Sequence, residues 1–118
     1  MSPDKIHRLT RADMYSIEKA IAYIELHYMD KISAEHLAFE VMLSKGKIQA
    51  GFVKRTGSTL HEYLIHVRIG KAKELLVNTN HPIKVVADAA GFINDSHFCK
   101  VFRKYNAISP VQYRLQGV

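Results

Sequence analysis

The 118-residue chain carries 17 Lys and Arg against 11 Asp and Glu, a formal net charge of +6, and 47% of its residues are apolar. This length predicts one compact unit or two very small ones, and it excludes a large enzyme with a separate substrate domain. A basic chain with enough apolar residues for a core favours an anionic partner. The single cysteine, Cys99, excludes an intramolecular disulfide. With no signal peptide and no apolar run of about 18 residues, a reducing cytoplasmic setting is expected.

The charge is unevenly distributed along the chain. Up to Ser44 there are 5 basic and 7 acidic residues, whereas 12 basic and 4 acidic residues follow from Lys45 onward. The basic character, and with it the expected contact to an anion, therefore belongs to the later part of the sequence.

The first predicted helix follows a polar segment. Residues 1–12 contain no sustained apolar period, which indicates a flexible arm or the stub of a linker. From Asp13 the pattern becomes helical, with Asp13 or Ser16 as the N-cap and an end near Tyr28. The apolar residues of this helix recur at spacings of three and four: Ile17, Ile21, Ile24 and Tyr28.

Two short helices are predicted next. Ser33 precedes an amphipathic stretch that ends near Val41, and Ser44 precedes a second one that runs from Lys45 to about Arg55. Gly57 ends the second helix. Two short helices joined by a three-residue turn are typical of a helix-turn-helix, so residues 13–58 are predicted as a first such unit.

A second unit repeats the first. A longer helix from His61 to about Val77, within a connecting segment 59–80, ends at the turn cluster 78–82. Beyond it, a shift of 49 and then 50 residues superimposes the apolar positions of residues 33–63 on those of 82–113. Residues 81–118 are therefore predicted as a second helix-turn-helix unit, whose last helix begins at Ser109 and Pro110.

The two units differ in their inter-helix turns. Gly91 supplies the residue that tolerates a positive φ, whereas its counterpart in the first unit is Met42. Either the first turn has different dihedral angles, or Met42 stores about 1 kcal/mol of backbone strain.

The second half of the chain carries a long family motif, and residues 14–115 closely resemble the DNA-binding domain of AraC/XylS-type bacterial transcription regulators. The residues that carry the resemblance are 72–76, Ile83, Val86, Ala87, Gly91, Phe92, Phe98, 102–105 and 109–114. The resemblance implies an all-α domain of seven helices, in which two tandem helix-turn-helix (homeodomain-like) units are joined by a long connecting helix. It implies double-stranded promoter DNA as the partner, with recognition helices 45–55 and 95–105 in adjacent major-groove segments.

Members of this family are mostly longer, with an effector-binding or dimerisation domain upstream. The resemblance therefore predicts either a stand-alone member or a C-terminal fragment. Such a fragment is expected to be a monomer that dimerises through an absent domain, to act as an activator with RNA polymerase as a partner, and to associate with the nucleoid.

Helical rotation predicts which residues face the groove. Counting 100° per residue from buried Ile48 places Gly46, Ala50 and Val53 outward, and counting from Phe98 places Ser96, Lys100 and Arg103 outward. The predicted base-reading residues are Lys45, Lys47, Gln49, Ala50, Asp95, Ser96, Cys99 and Lys100. The predicted phosphate contacts are Ser44, Lys54, Arg55, Arg103 and Lys104.

The two faces are chemically unequal. Gln49 can pair with an adenine edge and Ala50 can touch a thymine methyl, but the outward positions of the first unit carry no side-chain donor. Where other family members commonly have a basic residue that reads a base, this chain has Ala50. We therefore expect the first unit mainly to dock on phosphates and the second unit to carry more of the sequence discrimination.

The sequence also fits other interpretations. The small residues of the first recognition helix also fit a protein-interaction module that has lost DNA reading. No glycine-rich phosphate loop, nucleophile motif or metal-ligand spacing occurs, so the sequence predicts no enzyme, no cofactor and no metal.

Arg114 can contact DNA or an acidic group of the chain itself. All five phenylalanines, at 39, 52, 92, 98 and 102, are expected in the core.

Overall fold

Helices form all the regular secondary structure in residues 8–116, the part of the chain that the computed structural model describes. Seven of them occur there, and this confirms the predicted all-α class. In chain order they are α1 Arg11–His27, α2 Ala34–Val41, α3 Lys45–Thr56, α4 Leu60–Asn78, α5 Ile83–Ala89, α6 Asp95–Asn106 and α7 Pro110–Gln116.

The starts of the helices follow from their caps. The hydroxyls of Ser33 and Ser44 accept hydrogen bonds from the third residues of α2 and α3, as predicted. The prediction for α1 is wrong, because Thr10 is the cap. The Thr10 hydroxyl accepts from the Asp13 amide and the Asp13 carboxylate accepts from the Thr10 amide, a reciprocal capping box. Residues 11 and 12 of the predicted arm are therefore helical. Residues 1–7 of that arm lie outside the described residues.

The chain divides into two units, residues 1–65 and 66–118, and the boundary falls inside α4. In the first unit, α1, α2 and α3 pack on one another. The fully buried side chains of this core include Ile17, Ile24, Leu37, Ile48 and Phe52. In the second unit, α6 packs against α5 and α7. Its fully buried side chains include Leu76, Val86, Phe98, Phe102 and Pro110. Each unit thus contains the helix pair that the repeat predicts.

Phe39 is an exception to the predicted core. Its side chain is 82% exposed, whereas the other four phenylalanines are buried. Leu37, two residues earlier on α2, is fully buried, and two helical steps of 100° place Phe39 on the opposite side of the helix. The prediction that Phe39 lies in the core is therefore wrong.

Gly51 allows α1 and α3 to approach each other closely. A β-carbon at this position would overlap the side chain of Ile17, which is fully buried. The first unit therefore needs a residue without a side chain here, since the helices would otherwise move apart.

Met42 adopts the left-handed conformation, with φ 57° and ψ 45°. Its turn has the same hydrogen bonds as the turn at Gly91, because the amide of the following residue donates to Ala38 in one unit and to Ala87 in the other, at 3.0 and 2.9 Å. Of the two alternatives left open by the sequence, the structure shows the strained one. The Met42 side chain is 90% exposed, so packing does not offset the strain.

Replacing Met42 by glycine is expected to raise the free energy of unfolding by about 0.5–1 kcal/mol. Glycine adopts this conformation without a steric penalty, although its greater freedom in the unfolded chain offsets part of the gain. Urea denaturation measures the effect, with Met42→Ala as the control that removes the side chain but keeps the β-carbon. If the glycine variant is no more stable than the alanine variant, Met42 is not strained.

Candidate nucleic-acid interface

Helix α6 presents a polar face opposite its core face. Phe98 and Phe102 are fully buried, and Ser96, Lys100 and Arg103 are exposed, as the helical rotation predicted. A shallow depression of about 580 Å³ lies on this exposed side. Its lining residues are Ser96, Cys99, Lys100, Arg103 and Lys104. Hydroxyl, ammonium and guanidinium groups therefore converge on one accessible surface of the second unit.

The cations of α6 are available to an external anion. Within residues 8–116, Lys100, Arg103 and Lys104 have no carboxylate oxygen within 4.0 Å. Arg103 and Lys104 also lie in the last turn, where positive charge interacts favourably with the helix dipole. Exposed Asp95 occupies the first turn, where the dipole favours negative charge.

Cys99 lies at the edge of this face and is partly buried. Burial raises the pKa of its thiol, the nearby Asp95 charge raises it further, and Arg103 opposes the shift. Because the thiolate is the reactive form, this environment disfavours reaction at the cysteine.

Helix α3 exposes fewer of its predicted site residues than α6 does. Gln49 and Val53 are exposed and line a depression of about 370 Å³ with residues of α2 and of the α4 start. Ala50 is only 5% exposed, so the prediction that it faces outward is wrong. Lys47 and Gly51, which neighbour it on one side of the helix, both contact α1. A rotation angle counted along α3 describes that helix alone, so it does not show which side of α3 packs against α1.

The positive charges of α3 are largely paired inside the first unit. The Lys45 ammonium lies 2.7 Å from the Glu35 carboxylate of α2, and the Arg55 guanidinium donates to the Glu18 carboxylate of α1. The hydrogen bond from Lys45, followed by the backbone amide of Glu35 itself and then by the Lys45 charge, holds the pKa of the Glu35 carboxyl below its usual range. Lys54 is the one α3 cation without a carboxylate within 4.0 Å in the described part of the chain.

Lys47 has the most enclosed of these ion pairs. Its ammonium donates to the Asp13 carboxylate at 2.9 Å, and Asp13 is buried. The Thr10 amide, and after it the Lys47 ammonium, lowers the pKa of Asp13. The base-reading role predicted for Lys47 requires a free ammonium at the groove, but the structure directs this group to the N-terminus of α1. Ser44, the other predicted contact at this end of α3, is exposed and caps the helix.

Arg114 has an intramolecular partner. Its Nε donates to the carbonyl oxygen of Leu76 near the end of α4, at 3.0 Å. This fits the intramolecular alternative, but the acceptor is a backbone carbonyl and not the expected acidic group.

Residues 8–116 contain neither a membrane-spanning helix nor a metal-binding cluster. No helix there is long and apolar enough to cross a membrane. No group of three or more His, Cys, Asp or Glu side chains that could hold a metal ion occurs in the same residues.

Comparisons with known proteins give the family. A family model described as a helix-turn-helix domain matches residues 37–116. The probable transcriptional regulator LumQ of Photobacterium leiognathi is 32% identical over 107 residues, which are 91% of this chain and 42% of LumQ. The regulatory protein PocR of Salmonella typhimurium is 34% identical over 100 residues, 85% of this chain and 33% of PocR. The chain thus spans less than half the length of either relative.

Solved structures show the same fold. The C-terminal domain of AraT, a response regulator from Geobacillus stearothermophilus, is 27% identical with a TM-score of 0.82, over 92% of this chain and 88% of that one. The DNA-binding domain of AdpA, solved in complex with a target DNA, is 26% identical with a TM-score of 0.81, over 85% and 90%. With the tandem units described above, these similarities show that the chain belongs to the AraC-type helix-turn-helix family of transcription regulators.

Proposed function

We propose that this chain binds double-stranded promoter DNA sequence-specifically as the DNA-binding part of a transcription regulator. Helices α3 and α6 enter adjacent major-groove segments as the recognition helices of the two units. The observation that carries the proposal is the exposed face of α6, where three cations without carboxylate partners in the described residues accompany a serine hydroxyl. Membership of a family of transcription regulators, one of whose DNA-binding domains was solved on a target DNA, supports it.

The second unit supplies most of the sequence reading. Lys100 donates to guanine acceptors, Ser96 contacts base edges at the start of α6, and Asp95 accepts from a cytosine amino group. Arg103 and Lys104 contact phosphates near the end of the helix. Cys99 contributes van der Waals contact from the edge of the face.

The first unit reads fewer bases. Gln49 is the exposed amide that can pair with an adenine edge, and Ser44, Lys54 and Arg55 contact phosphates. Three of the four α3 cations are already paired with carboxylates, so the phosphate attraction of this unit is weaker than its sequence charge indicates. Both the base-reading side chains and the unpaired positive charges therefore favour the second unit as the main contact with DNA.

We propose a biological setting that is consistent with a DNA partner. A domain of this kind acts on the nucleoid in the cytoplasm, and it activates a promoter by contacting RNA polymerase.

The alternative of a protein-interaction module rested on the small residues of α3. Because Ala50 and Gly51 are buried within the first unit, packing accounts for their small size without a loss of DNA reading.

Selection of bound duplexes from a random pool tests the proposal. Wild-type protein is expected to enrich one bipartite sequence. Lys100→Ala and Gln49→Ala are each expected to lose preference at different positions of it, with the larger loss for Lys100→Ala. Absence of any enrichment by the wild-type protein contradicts sequence-specific binding. Equal losses at the two sets of positions contradict the larger role of the second unit.

A further inference from the structure

We infer that Glu35 and Glu18 lower the sequence-independent affinity of the first unit for DNA, because they neutralise cations of α3 and so weaken its attraction for DNA phosphates. The inference rests on the proposed function, since it assumes that α3 meets DNA. It assigns a role to two acidic side chains that contact no base themselves.

The arrangement of the pairs carries the inference. Glu18 on α1 and Glu35 on α2 both reach across to α3, where they pair with Arg55 near its end and Lys45 at its first residue. Carboxylates from two other helices thus face cations at both ends of the recognition helix. No cation of α6 has such a partner in residues 8–116, so α6 keeps three cations without a carboxylate partner there, whereas α3 keeps one, Lys54.

Both pairs are accessible and can be broken by DNA. The side chains of Lys45, Glu35, Arg55 and Glu18 are all about half exposed, and ion pairs of this kind contribute little to stability. A phosphate can therefore replace the carboxylate as the partner of Lys45 or Arg55. The displaced carboxylate then remains close to the DNA backbone and repels it.

This competition acts on all sequences alike. It lowers the affinity for every duplex, but only the correct site offers the base contacts that offset it. A uniform reduction of the phosphate attraction leaves the ratio of specific to non-specific affinity unchanged, but it weakens the binding to non-specific duplexes, which are far more numerous. Glu35 and Glu18 reduce that attraction in the unit that has less base-reading chemistry.

The Lys47 and Asp13 pair is a different case. Asp13 is buried and also completes the capping box of α1, so replacing it would disturb the helix start as well as free a cation. The two exposed pairs are therefore the ones that isolate the effect of charge.

The test compares Glu35→Gln with Glu40→Gln, two substitutions that remove the same charge from the same helix. Glu40 faces His36 at 3.8 Å, and its removal frees no α3 cation. Dissociation constants are measured for the selected duplex and for a scrambled duplex at several salt concentrations, and circular dichroism checks the fold. Glu18→Gln is measured in the same way.

Glu35→Gln is expected to tighten binding to the scrambled duplex by about two- to fivefold at low salt. The slope of log affinity against log salt is expected to steepen by up to about 0.9, the value for one further phosphate contact. Glu40→Gln is expected to change both the affinity for the scrambled duplex and the salt slope by less than Glu35→Gln does. Equal effects of the two variants, or none for Glu35→Gln, overturn the inference while wild-type binding stands. If the wild-type protein binds no duplex, the proposed function fails, and the inference fails with it.

Discussion

The double variant Lys100→Ala, Arg103→Ala is expected to bind its selected duplex about a hundredfold more weakly than the wild-type protein. Each residue supplies a base or phosphate contact whose loss costs on the order of 1–3 kcal/mol, and neither cation is neutralised by a described carboxylate of the chain. The slope of log affinity against log salt is expected to fall as well, by about 0.9 for each phosphate contact removed. Fluorescence anisotropy with a labelled duplex measures both quantities.

Lys19→Ala is the control for this variant. Lys19 is exposed on α1, where its ammonium lies over the Tyr15 ring, so the substitution removes a positive charge far from α6 in sequence. A small loss of affinity is expected from net charge alone. Should the double variant bind within threefold of this control, α6 is not the main DNA-reading element. Both α6 side chains are exposed, and we expect the stability to remain within about 0.5 kcal/mol of wild type.

Replacing Gly51 by alanine is expected to lower the free energy of unfolding of the first unit by about 1–3 kcal/mol. The added β-carbon would overlap Ile17, and Ile17 is fully buried, so α1 and α3 must separate to admit it. Chemical denaturation measures the loss. The sign of this change in the free energy of unfolding is informative, because alanine ordinarily stabilises a helix relative to glycine.

The same substitution at Gly70 provides the control with the opposite sign. Gly70 lies within α4, and apart from its two chain neighbours and the nearby backbone of its own helix, no atom would lie within 4 Å of an added β-carbon. Gly70→Ala is therefore expected to raise the free energy of unfolding by about 0.5–1 kcal/mol. If Gly51→Ala stabilises the protein as Gly70→Ala does, the close approach of α1 to α3 is not a constraint.

Local chemistry made much of the fold predictable. Ser33 and Ser44 cap the helices that they were expected to cap, because the capping hydrogen bond reaches only three residues along the chain. The exposed face of α6 was also predictable from its helical period, since Phe98 and Phe102 define one side and the polar residues lie opposite.

The contacts of α3 were not predictable in this way. The Asp13 carboxylate that holds Lys47 lies 34 residues earlier in the chain, and Glu18 lies 37 residues before Arg55. Such pairs depend on how α1 packs against α3, which helical periodicity does not reveal. The burial of Ala50 was not predictable from helical periodicity for the same reason. The Thr10 cap is a different case, because Asp13 three residues later completes a capping box that is recognisable in the sequence.

The most direct test of the proposed function compares the affinity of the wild-type protein for its selected duplex with its affinity for a scrambled duplex of the same length, at about 0.15 M salt. Sequence-specific binding predicts a preference on the order of a thousandfold for the selected duplex, and a scrambled-duplex affinity that falls steeply with salt. Equal affinity for the two duplexes at every salt concentration would contradict it.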